Sequence, residues 1–207
     1  EPHLVTRIGD HVLDLHTLAA SGAADPELAA LLTARTLNPL LAAGRATWTR
    51  LRATLVSWVT DASHRSQVEP HLSPVSAAEL LLPFEVADYV DFYSSEQHAR
   101  NVGAIFRPDS PGLPENWKHL PIAYHGRSGT VVVSGTEIVR PSGQRKPRSA
   151  SEPSFGPSTR LDMEAEVGFV VGVPSALGTQ VAPGALADHV FGVVLVNDWS
   201  ARDIQAW

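Results

Sequence analysis

Leu161-Asp162-Met163-Glu164-Ala165-Glu166-Val167-Gly168-Phe169-Val170-Val171-Gly172 is the stretch on which the reading of the chain turns. Its run from Ala165 to Val171, rich in β-branched and aromatic residues, predicts a strand. Residues two apart in a strand share a face, so Glu164 and Glu166 project together while Ala165, Val167 and Phe169 point the other way. Two like charges are thereby forced near each other. That costs energy unless a cation sits between them or water screens them. A solvent-exposed strand face is the plain alternative, and Glu-x-Glu alone does not decide between the two.

Working outward, Val190 to Val196 predicts a second strand, which Asn197-Asp198 ends where Trp199 to Gln205 can begin a helix. On such a helix Arg202 lies one turn after Asp198 and Gln205 three residues further, so a cation and an amide donor share one side. An N-cap with an i,i+4 ion pair is the alternative reading. Shorter strands are predicted at Val131 to Val133 and Glu137 to Val139. The intervening 141–160 stretch, PSGQRKPRSASEPSFGPSTR, is too polar and too proline-rich for a core element and predicts a long surface loop or lid.

Before Pro83 the texture differs. His3 to Leu15 alternates apolar and polar residues about Gly9-Asp10, a hairpin pattern. Leu28, Leu31 and Leu32 repeat at helical spacing, and Trp48, Leu51, Leu55 and Val59 form a second stripe after Gly44. Together these patterns predict a mainly β, α+β chain divided into residues 1–82 and 83–207. His11, His16, His64 and His71 lack ligand spacing and read as surface or packed histidines.

Composition bounds the function. The 207 residues, 43% hydrophobic and 18% charged, suffice for one substantial core or one small and one larger domain. Without cysteine there is no disulfide scaffold, thiolate zinc site or cysteine nucleophile, so any metal must be held by oxygen or imidazole. A net charge of −6 and scattered Lys and Arg argue against a nucleic-acid partner. No apolar run approaches the roughly 18 residues of a membrane span. A soluble cytoplasmic protein is expected. Glu1 in place of an initiator Met, and a stop at Trp207 within an amphipathic segment, read as a fragment or a processed product.

Asp91, Glu164, Glu166 and Asp198 each sit where a strand-like run meets a turn or is interrupted by charge, and His98 follows the first by seven residues. Carboxylate oxygens suit Ca²⁺ or Mg²⁺, and a neutral imidazole beside a cation can take a proton from water. Within Asp91 to Gly103 a carboxylate, a phenol (Tyr93) and an imidazole fall together before Gly103, which can end a helix. Glu96 is expected to face solvent rather than His98. His125, in the turn Tyr124 to Gly129, is a weaker metal candidate because imidazole prefers softer cations.

DFYSSEQHARNVG (91–103), Phe106-Arg107-Pro108, LPIAYHGRSGTVVVSGT (120–136), LDMEAEVGFVVG (161–172) and FGVVLVNDWSARDIQAW (191–207) closely resemble the fumarylacetoacetase (fumarylacetoacetate hydrolase) family. The resemblance covers 83–207 in order, and the first segment looks like the family's amino-terminal domain. It implies a small SH3-like barrel followed by a mixed β-sandwich roll, truncated at its C-terminus, in a homodimer. It implies that Asp91, Glu164, Glu166 and Asp198 hold Ca²⁺ or Mg²⁺, that His98 is the general base, and that Tyr93, Arg107, Tyr124, Arg202 and Gln205 contact substrate. The substrate implied is a β-diketone dicarboxylate, cleaved by water to fumarate and acetoacetate in tyrosine and phenylalanine breakdown. The family's glutamate that orients the base, and a lysine and a threonine of its substrate site, come from sequence later than Trp207. Related activities on a similar metal cradle, such as an acylpyruvate hydrolase, an oxaloacetate decarboxylase or a 2-keto-diene hydratase, are the alternatives, together with a non-catalytic cation-binding domain.

Overall fold

A computed structural model describes residues 1–109 and 112–207. In chain order its main elements are β1 (Val5–Ile8), β2 (His11–Asp14), α1 (Leu15–Leu18), α2 (Pro26–Leu32), α3 (Asn38–Ala42), α4 (Gly44–Thr60), α5 (Arg65–Val68) and β3 (Leu72–Pro74). Then follow β4 (Val90–Phe92), α6 (Glu96–Phe106), β5 (Ala123–His125), β6 (Ser142–Arg145) and β7 (Ser154–Pro157). The last are β8 (Leu161–Val171), α7 (Leu186–His189), β9 (Val190–Ala201) and α8 (Arg202–Gln205). The described residues form two compact units, 1–84 with 134–207, and 85–133. No helix among them is long and apolar enough to cross a membrane.

The expected hairpin is present. Ile8 pairs with His11 across Gly9-Asp10, and Gly9 takes φ +58°, a left-handed conformation that a β-carbon would strain. β2 also pairs with β3, giving a three-stranded antiparallel sheet in the order β1-β2-β3. Helix α2 starts where Asp25 accepts the Glu27 and Leu28 amides at 3.1 Å, with Pro26 in the first turn. Its buried Leu28 and Leu32 join Leu13, Leu18, Leu40 and Trp58 in the core. The α4 stripe departs from expectation at its end: Val59 is 44% exposed, and Trp58 is buried instead. Residues 58 and 59 flank the stripe equally, and the core takes the side chain with more apolar area.

Helices thus form much of residues 1–84, so the chain is mixed α and β rather than mainly β. Its strands make one three-stranded sheet and three two-stranded ribbons, and close no barrel among the described residues.

In the 85–133 unit β4 pairs antiparallel with β5, Asp91 opposite Tyr124. Ser95 caps α6 by accepting the His98 amide at 3.3 Å. The expectation that Gly103 ends this helix is corrected: α6 runs on to Phe106, and Gly103 is buried where a β-carbon would collide with the Gly112 carbonyl. Close backbone approach, not a C-cap, accounts for that glycine.

The longest pairing is β8 with β9, antiparallel from Leu161↔Ala201 to Val171↔Val190, with a register shift between Val170 and Val171. Both expected strands exist, but β9 does not stop at Asn197. It continues through Asp198 to Ala201, because each of these residues has a partner on β8, and α8 is confined to four residues. The strands expected at 131–133 and 137–139 are not strands. The 141–160 stretch is not a structureless loop either; it contains the β6–β7 hairpin, Ser142↔Pro157 to Arg145↔Ser154.

A polar clasp fastens this hairpin to the end of the chain. Ser158, only 2% exposed, donates its hydroxyl to Asp203 Oδ1 at 2.5 Å. The Thr159 amide and hydroxyl both donate to Asp203 Oδ2, at 2.8 and 3.1 Å. Arg140 donates to the Ser158 carbonyl at 2.9 Å, the Trp207 indole donates to Gln144 at 3.3 Å, and the Lys146 ammonium lies 4.7 Å from the Trp207 ring centroid.

Replacing fully buried Leu18 by Ala should cost about 2–5 kcal/mol, read as a fall in the urea unfolding midpoint. The clasp has a pH signature. The Ser158 hydroxyl, working against burial and helped by the Thr159 amide and hydroxyl, holds the Asp203 carboxyl far below the usual carboxylate range. A carboxyl depressed in the folded state stabilises it above the unfolded value, about 3.9, and that contribution is lost as pH falls further. Between pH 6 and pH 3 the wild-type midpoint should therefore drop more than that of Asp203→Asn, whose clasp carries no proton to gain.

Candidate metal centre

The β8–β9 register builds the acidic face. Glu164 stands opposite Asp198 and Glu166 opposite Val196, so both glutamates and Asp198 project from one side of the ribbon, as the strand period predicts. These three are half-buried, whereas Val167, Phe169 and Leu195 on the other side are exposed, Leu195 at 88%. An oxygen of Glu166 and one of Asp198 lie within 4.8 Å of each other. Two half-buried carboxylates at that separation repel unless a cation lies between them, and their oxygens are the donors a hard divalent ion prefers. The donor chemistry therefore fits Ca²⁺ or Mg²⁺.

Glu164 is engaged differently. Its Oε1 accepts from Arg202 Nη2 at 2.5 Å and from the Ser200 hydroxyl at 3.5 Å. Arg202 also donates through Nε to Asp162 at 3.0 Å and through Nη1 to Gln205 Oε1 at 3.1 Å. Burial works against the guanidinium's charge, but Glu164 and Asp162 outweigh it and raise its pKa. Asp162 is lowered in turn by the Arg202 bond and then by the Met163 amide. Glu164, Glu166, Asp198, Arg202 and Gln205 are thus brought together on one ribbon and the short helix that follows it. Asp162 and Ser200 are additions. Asp162 shares the parity of Glu164 and Glu166, a signal present in the sequence; Ser200 became a candidate only once β9 extended past Asp198.

In the 85–133 unit Asp91 is 8% exposed at the middle of β4, directly across from Tyr124, which is 63% exposed. Tyr93 meets Trp117 edge-on with ring centroids 6.5 Å apart, and the Trp117 indole donates to the Tyr93 carbonyl at 3.1 Å. A cavity of about 150 Å³ opens among Tyr93, Ser94, Trp117, Leu120, Pro121 and Ile122. Trp117 had no periodic signal to mark it, since it lies in a turn.

His98 is exposed on the first turn of α6, and Arg107 is exposed just beyond its end. Glu96 binds Arg100 at 2.7 Å and Lys118 at 3.3 Å, which hold its carboxyl below the ordinary value, so its charge is spent away from His98. His125 pairs with Asp88, lowering that carboxyl's pKa.

Comparison with known proteins gives the family. Residues 88–207 match the model of the fumarylacetoacetate (FAA) hydrolase C-terminal family, and residues 1–83 that of the fumarylacetoacetase N-terminal family. Curated fumarylacetoacetases are similar along the whole chain: that of Arabidopsis thaliana is 42% identical over 220 residues, covering 100% of this chain and 51% of the relative. The Caenorhabditis elegans protein is 44% identical over 214 residues, 99% of this chain and 51% of its own. The Homo sapiens protein is 40% identical over 213 residues, 100% and 51%. The chain spans about half the length of these relatives. Matched in order by both family models, with its acidic ribbon inside the second, the chain belongs to the fumarylacetoacetase family.

Proposed function

We propose that the full polypeptide is a fumarylacetoacetase, hydrolysing fumarylacetoacetate to fumarate and acetoacetate. The observation that carries this reading is the half-buried Glu166–Asp198 oxygen pair, within 4.8 Å, on a ribbon inside the matched C-terminal segment. Similarity to proteins of that name over the whole chain supports it. Asp91, Glu164, Glu166 and Asp198 would hold the divalent ion, Ca²⁺ or Mg²⁺. A bound divalent ion would supply Lewis-acid polarisation of the substrate's enol and ketone oxygens.

The chain's own residues do the rest. His98 takes a proton from water, and the resulting hydroxide adds to the ketone carbon. The carbon–carbon bond then breaks with its electron pair passing to the departing acetoacetate carbon as an enolate, which is reprotonated. Arg202 and Gln205, already joined by a 3.1 Å bond, present donors to the developing negative charge. Arg107 suits a terminal carboxylate because its planar fork accommodates two oxygens, and the Tyr93 and Tyr124 hydroxyls add neutral hydrogen bonds. The His98 ring is exposed in this chain, consistent with a base whose orienting partner comes from elsewhere in the full polypeptide.

The finer organisation belongs to the same proposal: a domain boundary between residues 82 and 83, a β-sandwich roll that begins at 83, a homodimer, and a cytoplasmic location.

In the full polypeptide, His98→Ala should lower turnover by about 10²-fold or more, followed as loss of the β-diketone ultraviolet absorbance with added Mg²⁺, while calorimetry still detects the cation; undiminished turnover would remove His98 as base. Glu166→Gln should weaken the cation in the same calorimetric titration by about tenfold or more, one carboxylate being replaced by a neutral amide. Unaltered affinity would count against the acidic cradle.

A further inference from the structure

Helix α8 has four residues, Arg202–Gln205. Isolated helices shorter than about 12–15 residues are marginal in water, so a single turn holds its shape only if something outside it does the holding. Two of its residues, Arg202 and Gln205, are the donors the functional reading relies on. What lies between and around them therefore matters.

The holding is done on the strand side. Asp203 takes three hydrogen bonds, from the Ser158 hydroxyl at 2.5 Å and from the Thr159 amide and hydroxyl at 2.8 and 3.1 Å. The Arg202 amide donates to the Arg160 carbonyl at 2.9 Å. Arg145 Nη1 stands 3.9 Å from Asp203 Oδ2, and the Asp203 side chain is only 13% exposed. The backbone of α8 is thus pinned at residues 158–160, the link between β7 and β8, and the guanidinium of Arg202 reaches Asp162 and Glu164 at the start of β8, at 3.0 and 2.5 Å. Ser158 is itself fixed: its amide donates to Pro141, its hydroxyl accepts the Arg160 amide at 3.2 Å, and its carbonyl accepts from Arg140.

We propose that Asp203 is a positioning residue: by locking the start of α8 onto Ser158 and Thr159, it delivers Arg202 to Glu164 and Asp162 and keeps Gln205 beside it. In this role Asp203 acts through Arg202, its chain neighbour, rather than on the reacting atoms. Ser158 is its principal support. This role rests on the functional reading only in so far as Arg202 serves the reaction; the geometric part stands apart from it.

The test uses the full polypeptide with two readouts. The first is the Arg202 Nε–H signal in ¹⁵N spectra, assigned by its disappearance in Arg202→Met. Bonded to Asp162, it should be protected in the wild type and broadened or shifted to the free-arginine position in Asp203→Asn. An unchanged signal in Asp203→Asn overturns the proposal. The second is a double-mutant cycle. Asp203→Asn should lower kcat by about tenfold or more with cation affinity retained, and should add little further loss in the Arg202→Met background. Full additivity, or an unchanged kcat with only a lower Tm, also overturns it. Should Asp203→Asn fail to fold, Ser158→Ala removes one hydroxyl and is expected to give the same changes at smaller size; no change in either readout would refute the role. A wild type without turnover would defeat the functional reading instead, and the Arg202 signal would still decide the place of Asp203.

Discussion

The register of β8 against β9 is the constraint on which the candidate site depends. With Glu164 across from Asp198, every acidic residue of the ribbon falls on one face, while Val167, Phe169, Val193 and Leu195 fall on the other. A slip of one residue would move Asp198 to the opposite side from both glutamates, because the side-chain period is two. Two features resist such a slip. Ten consecutive residue pairs share one register, and the shift between Val170 and Val171 fixes the far end. Near the acidic end, Arg202 ties Asp162 and Glu164 to the chain emerging from β9, so the register is held from both sides of the site.

The polarity of the ribbon is the reverse of an ordinary surface strand. Glu164, Glu166 and Asp198 are half-buried, while Val167, Phe169 and Leu195 are exposed. Burying like charges is costly, so such an inversion is sustained only where opposite charge is supplied. Arg202 supplies part of it through hydrogen bonds to two carboxylates, the strongest type available to a guanidinium.

Much of this was legible in the sequence, and the failures have physical causes. The β1–β2 hairpin and helices α2 and α4 are local patterns, decided by alternation, caps and helical stripes within a few residues. The shared face of Glu164 and Glu166 follows from the strand period alone. By contrast, Asn197-Asp198 followed by Trp199 to Gln205 carries a genuine helix-start signal, and it lost to partners on β8 some thirty-six residues away that no local pattern reveals. The three-residue strands β4 and β5 are too short to show a period. The β6–β7 hairpin was hidden in a polar, proline-rich stretch, because its stability comes less from apolar burial than from Ser158, Thr159 and Asp203, a constellation spanning 45 residues. Helical spacing did reach the end of this segment. It put Arg202 and Gln205 on one side, and the short helix does join them.

Charge balance ties these parts together. The polar side of the ribbon and its edge gather Asp162, Glu164, Glu166 and Asp198, and the Arg202 guanidinium bonds the first two. Arg202 occupies Oε1 of Glu164, and a carboxylate retains acceptor capacity on its second oxygen, so the ion pair and a cation are not mutually exclusive claims on that residue. A monovalent ion would leave the group with a substantial negative excess, unfavourable for an anionic substrate approaching it. A divalent ion offsets more of that negative charge than a monovalent one. The oxygen-only donor set of Glu166 and Asp198 suits a hard ion of the same charge class, for chemical reasons independent of any resemblance between sequences.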